Sequence, residues 1–509
     1  MIRLQSKLEG VRIAAAFKEH FLQETSQQET SHQGATLHSV QSPRRRSATA
    51  SLAVLAAGFA AFAAAGCGNQ YRPVVSAINP VGPAGQPTKY ATAVSIPSPS
   101  SLGLLTVVDF SGDTVITTPQ ILADPNYFAL NSNGTQGFTI NPQGSFNSFL
   151  LANPSGLLTS DVLQTTLPVD SAPVSITSVT PASALASIFI PQKATNSIAA
   201  LNAGTAALFE NIAVGNGGTN PVYVVGAQGT PRVYALSQNS PGSLGQIDAL
   251  EAISVTQLSI SKTIPVGIKP VYGVMTSDDR RAFILNEGSG TVSVVNVPSN
   301  ALDITTPTIT IPRIALTGGG TVAPNPVWAD LAQTVTEMVV LNQGDGVHPG
   351  TLSIIQIPLC NSLAQPNNPN CNAGNPIDAV GFGQIVATAT VGINPVMVSI
   401  LQDGSRAYVA NGGNATTPGS VSVVNLASGV VTATIPCGSD PTDTSVTATG
   451  DVYGTHPNSI SATTGTPTGK IYITSSDSRY LSIIYTDTDT VQGHINLQGR
   501  GLRVLVTAP

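Results

Sequence analysis

Charge is what this chain has least of. Only 9% of its 509 residues are Asp, Glu, Lys or Arg, against about 25% in ordinary soluble domains. An exposed surface must then be built from Ser, Thr, Asn, Gln and Gly, as in many exported β-rich proteins. Basic residues are scarcer still: 21 Lys and Arg against 27 Asp and Glu give a net charge of −6, and Arg44, Arg45 and Arg46 form a single run. Without a basic field, nucleic acid is excluded as a partner. Long hydrophobic runs are also missing, since the apolar stretch 52–62 is too short and Ala-rich to remain as a membrane span. Cysteine occurs four times and Trp once. The 41% hydrophobic content over this length nevertheless leaves ample material for a large core.

The arginine run followed by residues 52–62 reads as the positive and apolar regions of an export signal. The segment ends in Ala64, Ala65, Gly66 and Cys67, which resembles the lipobox of bacterial lipoproteins, with Ala64 standing where Leu is usual. That resemblance implies lipidation of Cys67 and attachment to the membrane through the lipid. Gly68 is not the Asp that holds such proteins at the inner membrane, so outer-membrane or surface placement is implied. Residues 1–66 are thus expected to be leader and signal peptide. Residues 67–87, rich in Pro and Gly, sustain neither helix nor central strand and form the tether.

The remaining residues, 88–509, repeat one unit whose clearest copy is 394–425. Residues 396–401 are apolar on both faces, which means burial on two sides. Asp403 and Gly404 supply a tight hairpin, 406–411 (RAYVAN) returns, and 420–425 (SVSVVN) and 430–438 (VVTATIPCG) follow as third and fourth strands. Four antiparallel strands, apolar on both faces and repeated in tandem, describe an all-β propeller of four-stranded blades. Opening prolines at 125, 173, 221, 270, 326, 395 and 457 mark successive innermost strands. Residues 501–506 form one further innermost strand with nothing after it, while 90–96 lacks an innermost partner. Pairing the two chain ends in one blade closes the ring and removes both bare edges. The count is eight blades, with seven as the alternative.

The tetrapeptide Tyr408-Val409-Ala410-Asn411, the run Val391-Gly392-Ile393-Asn394-Pro395, and the stretch 290–296 (GTVSVVN) resemble the YVTN-repeat propellers. The resemblance implies the same fold and far less about an activity.

Several residues are candidates for function. Two positions past the opening proline stand Tyr127, Tyr223, Tyr272, Trp328 and Met397; they either line the mouth of the channel and stack on a ligand, or wedge one blade against the next. The longer loops 215–220, 343–350, 412–418 and 438–456 are expected on one face, where Asp345, His348, Asp440, Asp443, Asp451 and His456 form either a ligand or divalent-metal site or ordinary solvated loops. Cys360 and Cys371 flank an insertion and are expected to form a disulfide in an oxidising compartment, a metal pair being the other reading. Cys437, without a His partner nearby, reads as a buried apolar residue.

The leading expectation is a lipid-anchored, non-catalytic binding or scaffold propeller at the cell envelope, with a protein or glycan partner and no cofactor. The alternative is an exported hydrolase of the lactonase-like kind, which needs a His or carboxylate cluster on the innermost strands, where Asp330, Lys269 and Arg503 are nearly the only charges. A quinone-dependent dehydrogenase is a third candidate, but the blade-docking motifs of those propellers use many Trp.

Overall fold

The computed structural model describes residues 89–507 apart from 153, 180–185, 255–256, 333–335, 359–370, 373–374, 443–446 and 464–468. Within them the chain forms eight antiparallel four-stranded blades. Blade 1 is built from both chain ends: Arg500–Val506 innermost, then Tyr90–Ile96, Leu102–Asp109 and Thr114–Thr117. Blades 2 and 3 follow as Tyr127–Leu130 to Leu163–Thr166 and Thr177–Ser178 to Leu208–Ala213. Blade 4 starts at Pro221–Val225 and its outer pair, Leu244–Ser254 and Gln257–Ile268, makes a long projecting hairpin. Blades 5 to 8 begin with Pro270–Met275, Pro326–Leu331, Pro395–Ile400 and Pro457–Ala462.

The ring closes as the unpaired edges of the sequence require. Ala91 pairs with Val506, Ala93 with Val504 and Val94 with Arg503. The blade count is eight, and the seven-bladed alternative falls away.

Apolar residues on both faces of each blade build a core between the blades. Eight hydrophobic clusters each join two neighbours: Phe283, Val294, Met338 and Ile355 lie between blades 5 and 6, and Tyr472, Leu481, Val504 and Val506 between blades 8 and 1. At roughly 1.5–3 kcal/mol for each large side chain, these seams hold the ring.

The opening of each innermost strand has its own geometry. The residue before the opening proline is left-handed in six blades: Asp124, Ala172, Asn220, Lys269, Asn325 and Asn394, with φ between 47° and 60°. Asn and Asp tolerate this best because their short polar side chains bond locally. A β-bulge follows at once in four of these, blades 4 to 7, and stands at the same place in blade 8, so that Pro221 faces Ser237 but Tyr223 faces Leu236. A bulge re-aims the residues beside it, and here it turns the second residue after the proline toward the axis.

The repeated Asn of the second strand is a clamp. Asn286, Asn342 and Asn411 are buried, and each donates from Nδ2 to two hydroxyls of the third strand: Thr291 and Ser293, Thr351 and Ser353, Ser420 and Ser422. The stretch 438–456, expected as loop, contains a short strand Val452–Tyr453 that runs parallel to the edge of blade 7, pairing with Cys437 and Gly438. Two residues carry no periodicity, so no pattern announces it.

Candidate functional site

The bulky residues named from the sequence gather at the opening end of the channel, four as a ring of aromatics and Met397 in the wall of the adjoining cavity. Tyr223 and Tyr272, from blades 4 and 5, lie with ring centroids 4.7 Å apart, and Tyr272 stacks on Trp328 of blade 6 at 4.1 Å with 18° between the planes. Arg503, on the closing strand of blade 1, completes the arc: its guanidinium carbon lies 4.3 Å from the Tyr127 ring centroid and 5.4 Å from that of Trp328. Tyr127, Tyr223, Tyr272 and Trp328 each lay one flank on an inter-blade core and turn the other to the neighbouring ring or cation. Where the same position carries a small residue, it bonds the next blade instead: Ser175 donates to Val222 O at 2.8 Å and Ser459 to Val504 O at 3.2 Å.

A cavity of about 180 Å³ opens here, lined by Asn126, Tyr127, Trp328, Val396, Met397, Asn458, Leu502 and Arg503. These come from blades 1, 2, 6, 7 and 8, all within the first residues of an innermost strand. Asn458 is held by its Nδ2 on Gly501 O at 2.8 Å and by the Thr474 hydroxyl on its Oδ1 at 2.9 Å; Asn126 donates to Pro173 O at 3.2 Å. Burial alone would lower the pKa of Arg503, but the tyrosines beside it, Tyr127 foremost, raise it above its ordinary value, so the cation is permanent. Burial pushes the phenols of Tyr223 and Tyr272 up as well, and they stay neutral.

The sequence marks Arg503 as one of few inner charges but does not assign it to the aromatic ring. The signal was available: Gly501 occupies the place of the opening proline, which makes Arg503 the second residue after it. Asp330 lies deeper on blade 6, where both carboxylate oxygens are engaged, Oδ2 by Ile400 N and Oδ1 by Leu331 N, each at 2.9 Å. Burial raises its pKa to about 6 despite these bonds. Lys269 pairs with Glu287 at 2.6 Å and is exposed.

The loop candidates separate into two pairs. Asp345 accepts from the backbone of Val347 and His348 and meets His348 Nδ1 at 2.7 Å; the His348 N–H, foremost, holds the carboxyl at about 2. Asp440 accepts from Thr442, Ser478 and the backbone of Arg479. Burial would raise the pKa of Asp440, but these bonds hold it below the usual range. His456 leans on Asp477, whose carboxylate also takes the hydroxyl and N–H of Thr455. No hydrogen bond or ion pair joins the two pairs among the described residues. Three of the four loops do touch, through Asn414 Nδ2 on Gly346 O and Gly419 N on Thr455 O at 2.7 Å; the loop 215–220 is held within blades 3 and 4 by Asp248 and Gln246. No three His, Cys, Asp or Glu side chains converge as a metal site among the described residues. Cys437 is buried and burial raises its thiol pKa. Cys67, Asp443 and the pairing of Cys360 with Cys371 lie outside the described residues.

No family model matches the chain, and no curated protein does. Among solved structures, it is similar to the dihydro-heme d1 dehydrogenase NirN in complex with DHE, at 10% identity, 83% of this chain, 76% of that one and a TM-score of 0.54. Apo AztD from Citrobacter koseri is similar at 10% identity over 82% of this chain and 97% of the other, TM-score 0.50. A putative 6-phosphogluconolactonase from Bacteroides fragilis matches at 14% identity, 69% and 95%, TM-score 0.47. At these identities the likeness is one of fold: the protein is a β-propeller.

Proposed function

We propose that the protein is a non-catalytic binding module of the cell envelope, exported, anchored through a lipid on Cys67, and taking a small ligand at the mouth of its channel. One observation carries the reading: the cavity of about 180 Å³ is walled by stacked aromatics, aliphatics, two amides and one guanidinium. Its volume exceeds the roughly 150 Å³ that accommodates a benzene ring. Such a lining recognises a molecule through stacking and a few fixed polar groups. The inner-strand carboxylate that a hydrolase reading would enlist, Asp330, has both oxygens engaged by backbone N–H groups, one from its own strand and one from blade 7, and this favours binding over bond cleavage.

The single Trp of the chain is Trp328, at the cavity wall, so its emission reports on the site without labels. Titration of the purified protein with fractionated small molecules from the native cell should give a saturable change in Trp328 emission for at least one fraction. If every fraction leaves the emission unaltered, the binding site is not at the channel mouth. For the anchor, Cys67→Ser is expected to move the protein from the membrane to the soluble envelope fraction; unchanged detergent partitioning would remove the lipid from the account.

A further inference from the structure

We infer that the channel mouth is an anion site, built for a small monocarboxylate with a flat or apolar body. This rests on the binding reading above and adds the chemistry of the ligand. The reason begins with an unbalanced charge. Arg503 lines the mouth of the channel; among the described residues no carboxylate pairs with it, Tyr127 is the side chain that hydrogen-bonds it, and its Nε is buried without a hydrogen-bond partner. Arg503 is half-buried, and a cation partly withdrawn from water without a counter-ion is unfavourable. The nearby carboxylate on an innermost strand does not relieve it, since both oxygens of Asp330 are taken by backbone N–H groups.

Geometry then says what is missing. The guanidinium carbon lies over the rings of Tyr127 and Trp328, at 4.3 and 5.4 Å from their centroids, and Tyr127 also hydrogen-bonds it. The two rings hold the guanidinium in place, and a cation with five N–H donors and its Nε unpartnered suits the fork of a carboxylate. Arg503 lines the cavity, so the carboxylate arrives from the mouth. The walls select the rest of the ligand. Val396, Met397 and Leu502 are apolar, and Trp328 adds an aromatic wall. Asn458 has one amide N–H left after its bond to Gly501 and serves as a second donor. One guanidinium and amides match a single negative charge; a phosphate dianion would call for more cations than the cavity has. In a protein of net charge −6, this positive point also sets the mouth apart from its surroundings.

The test uses the full-length protein, Trp328 emission and calorimetry, with three probes: benzoate, its neutral isostere benzamide, and inorganic phosphate. Benzoate should bind at least about tenfold more tightly than benzamide, the difference a charge-assisted pair supplies, and phosphate should bind more weakly than benzoate. Arg503→Gln should abolish the preference for benzoate over benzamide, whereas Arg503→Lys should retain part of it. Equal affinity for benzoate and benzamide in the wild-type protein overturns the inference without needing any variant to fold. So does phosphate binding in preference to benzoate. If no probe binds up to about 10 mM while a neutral native molecule does, the anion inference falls and the binding module stands. If neither the probes nor any native fraction binds, both fall together.

Discussion

Asn411 shows how much a single residue of the repeat explains. Its amide spans two hydroxyls of the third strand, and Asn286 and Asn342 do the same in their own blades, so the final letter of YVAN is a buried strand-to-strand clamp. The motif marks the residue, and the structure shows what it does. The charge state of Asp330 carries no such mark, because it depends on burial by blades far away in sequence. Its pKa rises to about 6 in the folded protein from an ordinary 3.8. The native state therefore holds its proton more tightly than the unfolded chain between those values, and stability falls as pH rises through that window. The expected size is about 3 kcal/mol. Comparing urea unfolding of wild type and Asp330→Asn at pH 4 and pH 7, the variant should gain about that much relative to wild type at the higher pH. A constant difference would mean that Asp330 titrates normally. Arg503 was legible as a rare inner charge, and its stacked partners were not, since Tyr127 and Trp328 precede it by hundreds of residues.

Strands and hairpins are joined by a device with a short signature. A basic residue opens the second strand, with Tyr two positions on, and both reach the outer hairpin of the following blade. Arg406 and Tyr408 meet Asp489; Lys470 and Tyr472 meet Asp113 at 2.8 and 3.0 Å; Arg232 and Tyr234 reach Val297 O and Asn300. The basic-x-Tyr triplet was present at 232–234, 406–408 and 470–472, but a triplet does not say which hairpin it grips. The lock on Asp113 is the consequential one, because it fastens blade 8 to the blade that closes the ring. Lys470 is buried there, and its ammonium also donates to Phe110 O at 2.7 Å. Asp113→Asn should strand that cation and cost about 3 kcal/mol, read as an earlier denaturant midpoint. Adding Lys470→Met should recover most of the loss. If the single variant unfolds like wild type, the lock contributes nothing at this seam.

Over the whole molecule, stability passes from seam to seam, and the closing strand contributes to two of them. Val504 and Val506 fill the core between blades 8 and 1, while Leu502 and Leu505 pack between blades 1 and 2. Deleting residues 500–509 removes these side chains, at roughly 1.5–3 kcal/mol each, from a total stability of about 5–15 kcal/mol. The truncated protein should be unfolded or aggregated by light scattering and circular dichroism; a cooperative melt near the full-length temperature would contradict this closure. The four-stranded repeat and the pairing of the chain ends were determined by the sequence alone, because alternation, hairpin residues and an unpaired edge are local facts; the choice of eight blades over seven and the short strand Val452–Tyr453 came only with the structure. Which rings stack at the axis, where Arg503 lies among them, and which loop touches which were decided only by tertiary structure. The physical reason is that a propeller brings equivalent positions of eight repeats to one point, and no local pattern records what they meet there.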